Sequence, residues 1–164
     1  MSAKIWVISD LHLGHQKMAQ YRGFESVEEH DELIQQNWNQ RVRKGDTVWI
    51  LGDISMEKRA DYAKLGLLKG FKKVVLGNHD LPKASHNQEL LKWVNSLAGM
   101  VVNKSQGWVM THCPIHPSQL DDRYRLNIHG HVHSQSLPDS RYYNVSCEAL
   151  DYTPRELTEI LNKK

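Results

Sequence analysis

Ten histidines stand against two phenylalanines and two cysteines in this chain, and half of the ten fall in five short polar blocks. The blocks are Asp10-Leu-His12, Gly52-Asp53, Gly77-Asn78-His79-Asp80, Thr111-His112 and Gly130-His131-Val132-His133. Imidazole is the commonest protein metal ligand and the usual acid–base group near neutral pH. Asp10 and His12 are two residues apart, as are His131 and His133. In extended backbone such residues face one side, so each pair points two donors into one site. The set mixes carboxylates, an amide oxygen and imidazoles. It suits Mn²⁺, Fe, Zn²⁺ or Ni²⁺ better than an all-oxygen Mg²⁺ or Ca²⁺ site, and it lacks the thiolates of a structural zinc site.

These donors are far apart in sequence, so a fold must gather them. Lys4–Ser9, Thr47–Leu51 and Lys73–Leu76 are β-rich runs, and each ends in one of the blocks. Ser26-Val-Glu-Glu29 is a capping box that starts a helix, with Leu33, Ile34, Trp38 and Val42 following near helical spacing and Lys44-Gly45-Asp46 stopping it. A helix is expected over Arg59–Leu68. Another is expected from Ser85 or Asn87 to about Leu97, with Leu90, Leu91 and Val94 inward. The second half holds short strands at Met100–Val102, Trp108–Thr111, Leu126–His129 and Tyr142–Ser146. Thr153-Pro154-Arg155-Glu156 predicts a final helix. Alternating strands and helices imply parallel crossovers, and the expected fold is a layered α-β-β-α sandwich with two mixed sheets, one domain over residues 1–164 and no cap. In α/β folds ligands bind beyond the carboxyl ends of strands, so the five blocks should converge.

The five blocks, in this order over residues 10 to 133, resemble the signature of the calcineurin-like metallophosphoesterases. The smaller bacterial and phage-type phosphoesterases are resembled most, through Asp10-Leu-His-Leu-Gly-His15, Arg22-Gly-Phe24 before the capped helix, and Asn144-Val-Ser-Cys-Glu148. The resemblance implies two divalent ions, Mn²⁺ foremost, with Fe, Zn²⁺ or Ni²⁺ also accommodated. Asp53 would bridge them, with Asp10, His12 and His133 completing one ion and Asn78, His112 and His131 the other. A hydroxide between the ions would attack phosphorus. His79 would assist the leaving group as the catalytic histidine, and Asp80 would orient the His79 ring. Two departures from the family pattern are visible. Ile54-Ser55-Met56 follows Gly52-Asp53 where many members carry another polar residue, and Gly23 replaces a frequent proline.

Other residues divide between function and packing. Arg22 is expected to bind a substrate phosphate, since guanidinium suits bidentate oxyanion recognition. His15 is expected either to contact substrate or to cap the first loop. His129 shares a side with His131 by alternation and is expected either to pack behind the site or to act in it. His116 is expected in a surface loop rather than at the site mouth, and His30 and His86 on solvated helix faces. Cys113 follows His112, but hydroxide already supplies the nucleophile.

The chain of 164 residues carries 21 Lys and Arg against 19 Asp and Glu, a net charge of +2. That balance argues for no nucleic-acid or membrane surface. With 40% apolar and 24% charged residues, the chain is globular rather than disordered. Two cysteines and no signal-like or membrane-length apolar run point to a reduced, cytoplasmic protein. The expected activity is hydrolysis of phosphodiesters or phosphomonoesters, favouring small diesters such as cyclic nucleotides or aryl phosphodiesters. The alternatives are a nuclease of the same fold acting on DNA or RNA, and a non-catalytic metal-binding scaffold. Monomer and homodimer both remain open.

Overall fold

The computed structural model describes residues 2–56, 58–81 and 84–162. The first half runs β1 (Ile5–Ile8), α1 (Gln16–Tyr21), α2 (Val27–Arg41), β2 (Thr47–Ile50), a 3-10 helix (Arg59–Leu67), β3 (Phe71–Val75), α3 (Ala84–Leu90) and β4 (Ser96–Ala98). The second runs β5 (Val101–Asn103), β6 (Trp108–Met110), α4 (Ser118–Asp122), β7 (Leu126–His129), β8 (Tyr142–Asn144), a second 3-10 turn (Cys147–Leu150), β9 (Arg155–Glu156) and α5 (Leu157–Leu161). One sheet has the order β4-β3-β2-β1-β9 and the other β5-β6-β7-β8. In the first, β1 to β4 are parallel and β9 is antiparallel; in the second, only β5 is antiparallel. This is the expected sandwich of two mixed sheets.

Both sheets feed one apolar core, with Val7, Ile8, Val48, Ile50 and Val74 from the first and Trp108, Met110 and Ile128 from the second. Ser9 stitches the sheets together. Its amide donates to the Val145 carbonyl at 2.8 Å, and its carbonyl accepts from the Cys147 amide at 3.0 Å. The carboxyl ends of β1 and β7–β8 are thereby held side by side. The opening of α2 follows its sequence signal, since Ser26 Oγ accepts from the Glu29 amide at 3.1 Å. Ile34 and Trp38 then enter the core. Before β2, Asp46 is buried and accepts from the Lys4 and Arg43 amides and from Trp6 Nε1, tying β1 to the loop that starts β2.

Several expectations give way. The expected helix from Ser85 or Asn87 to about Leu97 is shorter at its end: α3 stops at Leu90, and Ser96–Ala98 is a fourth parallel strand. Asn95 makes the difference. Its amide donates to the Lys72 carbonyl at 2.7 Å and its side chain accepts from the Lys72 amide at 2.9 Å, which lays the chain along β3. Leu91, expected inward, is 51% exposed. Thr153-Pro154 opens no helix. Arg155 and Glu156 instead pair with Val7 and Trp6 on the free edge of β1, and the last helix begins at Leu157. The short helix α1 carries no signal read in the sequence. His30 and His86 are buried rather than solvated. His30 lies against Arg22 Nη1 at 2.8 Å and Asp31 Oδ1 at 2.8 Å, a polar pocket that sequence spacing does not reveal.

Candidate metal centre

All five blocks sit just past strand ends: β1, β2 and β3 in one sheet and β6 and β7 in the other. The loops interlock through their backbones. The amides of Asp10, His12 and Leu13 donate to the carbonyls of Gly52, Asp53 and Ile54, and the Gly130 amide donates to the His112 carbonyl. Close approach is what the glycines permit. A Cβ on Gly52 (φ +87) would sit 2.6 Å from the Gly77 Cα and from His112 Nδ1, and one on Gly130 would sit 2.0 Å from Ser9 Oγ. Among the described residues, seven non-glycine residues have positive φ, and five of them are Asp10, His12, Asp53, His131 and His133. Asp and His tolerate the left-handed region better than most side chains, yet it still costs energy. Such strain gathers at functional sites, where the surroundings hold it.

The seven expected donors are brought into one cluster. Asp10, His12 and His133 offer ligand atoms within 4.8 Å of one another, and so do Asp10, Asp53 and His112. Asp53 Oδ2 lies 3.4 Å from His112 Nε2 and 3.9 Å from His12 Nε2. His112 Nε2 also lies 2.9 Å from Asn78 Oδ1 and 3.2 Å from His131 Nδ1. The other His112 nitrogen, Nδ1, meets the Leu51 carbonyl at 2.7 Å, which turns Nε2 to the cluster. Asp10, His12, Asp53 and His112 are buried, whereas Asn78 and His131 are exposed. The cluster therefore has a closed floor and an open side.

The residues fit divalent cations on two further observations. Asp10 Oδ1 and both ring nitrogens of His12 are buried with no hydrogen-bond partner among the described residues. Buried polar atoms of this kind normally have a partner, and ligand atoms are a recognised exception. The electrostatics agree. Burial works against a charged His112, but Asp53 and then Asp10 overcome it and raise its pKa to about 9. His12, where burial dominates, is held down at about 3 and presents neutral nitrogens. The cluster thus attracts positive charge and offers lone pairs to receive it.

The expected supporting residues divide. The amide of His79 donates to Asp53 Oδ1 at 3.0 Å, and its ring centroid is 5.9 Å from that of His12, so it borders the cluster. His15 is half-buried, with its ring 6.1 Å from His12, on the same rim. His129 is buried behind the site, with Nδ1 2.9 Å from the Gly130 carbonyl, and His116 is exposed beside Ser118.

Two expectations are corrected. Asp80 does not turn its carboxylate to the His79 ring; it accepts from the amides of Asp53, Ile54 and Gly77, clamping the β2 and β3 loops together. Burial, then the charge of Asp53, raises its pKa to about 6. Arg22 does not face substrate. Its side chain is fully buried and its nitrogens are taken by Glu148, the Asp10 and Leu11 carbonyls and His30.

Two contributors carried no assigned role in the sequence. Glu148 Oε1 contacts His133 Nδ1 at 2.9 Å, and Asn144 Nδ2 donates to the His133 carbonyl at 2.7 Å. Both belong to the Asn144–Glu148 segment that carries part of the family resemblance, which was the available signal.

Comparisons with known proteins bear on the family and the fold. The family model described as calcineurin-like phosphoesterase matches residues 3–135. The chain is 31% identical to the Gene 66 protein of Mycobacterium phage D29 over 98% of its own length and 96% of that protein's. It is 32% identical to the uncharacterized protein MJ1445 of Methanocaldococcus jannaschii, covering 96% of this chain and 89% of that one. In structure it resembles AQ665 of Aquifex aeolicus, a protein of unknown function, with a TM-score of 0.75 at 22% identity, over 97% of this chain and 98% of that one. The chain belongs to the calcineurin-like phosphoesterase family and is a metal-dependent phosphoester hydrolase.

Proposed function

We propose that the centre is binuclear and that it hydrolyses small phosphodiesters by attack of water on phosphorus. The position of Asp53 carries this reading: its Oδ2 lies 3.4 Å from His112 Nε2 and 3.9 Å from His12 Nε2, within reach of a donor from each half of the centre. Asp53 would be the shared ligand. Asp10, His12 and His133 would hold one ion, Mn²⁺ foremost, and Asn78, His112 and His131 would hold the second. When bound, such ions supply positive charge to the phosphoryl oxygens and lower the pKa of water toward neutrality.

The chain's own residues do the rest. The floor of Asp10, His12 and Asp53 is buried and orients its donors, while exposed Asn78 and His131 form the side that substrate reaches. His79 is tied to the centre's edge by the hydrogen bond its backbone amide donates to Asp53 Oδ1, and it delivers a ring proton to the leaving oxygen. His15 contacts substrate at the rim. The open side marked by exposed Asn78 and His131 suits a small diester such as a cyclic nucleotide or an aryl diester.

The test is a panel of aryl mono- and diesters, 2′,3′- and 3′,5′-cyclic nucleotides and linear DNA, assayed with metal-loaded protein. Diesters should react fastest, and His79→Ala should lower kcat for alkoxide leaving groups by about 10²–10⁴-fold. Preferred cleavage of DNA would turn the reading toward a nuclease. No turnover of any ester over a broad pH range would overturn it.

A further inference from the structure

Cys113 has no part in the mechanism above, yet its sulfur shares the open side of the centre. Sγ and ring nitrogens of His112 and His131 all lie within 4.8 Å of one another. For ordinary metal–sulfur and metal–nitrogen bonds in a tetrahedral site, sulfur and nitrogen ligands are about 3.6 Å apart, a separation that falls within that bound. His112 also belongs to the group formed with Asp10 and Asp53. The sulfur is thus continuous with the centre, where Asp10 Oδ1 is a buried oxygen with no hydrogen-bond partner among the described residues. The backbone that carries the thiol is fixed. Thr111 Oγ1 donates to the Cys113 carbonyl at 2.6 Å, and Asn127 Nδ2 in turn donates to Thr111 Oγ1 at 3.0 Å. The chain's other thiol, Cys147, is fully buried and belongs to none of these donor groups.

We propose that Cys113 Sγ is a further ligand of the ion held by Asn78, His112 and His131, and that it makes this half of the centre selective for thiophilic divalent ions. This rests on the metal-centre reading above. Sulfur favours Zn²⁺, Fe²⁺ and Co²⁺ over Mn²⁺, whereas the Asp10–His12–His133 half offers only oxygen and nitrogen. The two halves therefore prefer different ions. On binding, a sulfur lone pair joins the ion and the thiol proton leaves to the buffer.

Anaerobic titration of Co²⁺ into the metal-free full chain tests this by absorption. The wild type should show visible ligand-field bands together with a near-ultraviolet sulfur-to-cobalt band. Cys113→Ser, a conservative change at an exposed position, should keep the former and lose the latter. Equilibrium dialysis against mixed Zn²⁺ and Mn²⁺ should show its preference for Zn²⁺ falling by at least about tenfold. Ligand-field bands without the sulfur band in the wild type, or a sulfur band that survives in Cys113→Ser, would overturn the Cys113 assignment and leave the centre standing. A chain that binds no Co²⁺ would overturn both.

Discussion

Glu148 settles which nitrogen His133 turns to the centre. Its Oε1 takes His133 Nδ1 at 2.9 Å and Arg22 Nε at 2.8 Å, leaving Nε2 of His133 for an ion. Burial opposes a charge on Glu148, but His133 and Arg22 outweigh it and hold the pKa at about 2, so the carboxylate stays ionised well below neutral pH. Glu148→Gln keeps the shape and removes the charge. Ion affinity measured by calorimetry should fall about 10–100-fold, and unchanged affinity would show that Glu148 does not position His133. Residues of this kind were the least legible in the sequence. The five polar blocks stood out because each ends a strand with donor chemistry. Arg22 and Glu148 are 126 residues apart, and a guanidinium's composition does not say whether it points at substrate or at two carbonyls of the β1 loop. Asp80 misled for the same reason: its place beside His79 in the chain hid the three amides it binds in space.

At the scale of elements, Asp46 joins β1 to the start of β2 and so aligns two of the loops that bear ligands. Burial disfavours its charge, but the Lys4 and Arg43 amides and the Trp6 indole lower its pKa below the ordinary 3.8. A depressed carboxylate contributes stability that is complete above its unfolded value and is lost as pH falls through the folded one. Asp46→Ala should cost about 1–3 kcal/mol at pH 7, because it leaves buried donors without an acceptor. In urea unfolding, the gap between wild type and variant should close as pH drops below 3.8. A gap that stays constant with pH would contradict this origin. The parallel strands were legible here because β-branched runs end at glycine and polar residues. The edges were not. β4 exists because Asn95 brackets Lys72, and β9 because β1 had an open edge; both are pairings between distant segments, while helix signals such as Thr153-Pro154 are local. Tertiary pairing overrode the local preference in each case.

For the whole molecule, a net charge of +2 conceals how charge is arranged. Two acids, Asp10 and Asp53, lie buried among imidazoles, so the centre draws cations although the composition is balanced. Divalent ions held there would supply the attraction for phosphate. No helix among the described residues is long and apolar enough to cross a membrane. Sequence alone could give the convergence of five blocks, because ligands in α/β folds gather beyond the carboxyl ends of the strands, here those of both sheets, but not the separation into a buried floor and an open side. The most direct check of the binuclear claim is a titration of divalent ions into metal-free protein while the hydrolysis of an aryl phosphodiester is followed. Activity should be absent without ions and should rise until two equivalents are bound per chain. Full activity in the metal-free protein, or a plateau at one equivalent, would contradict it.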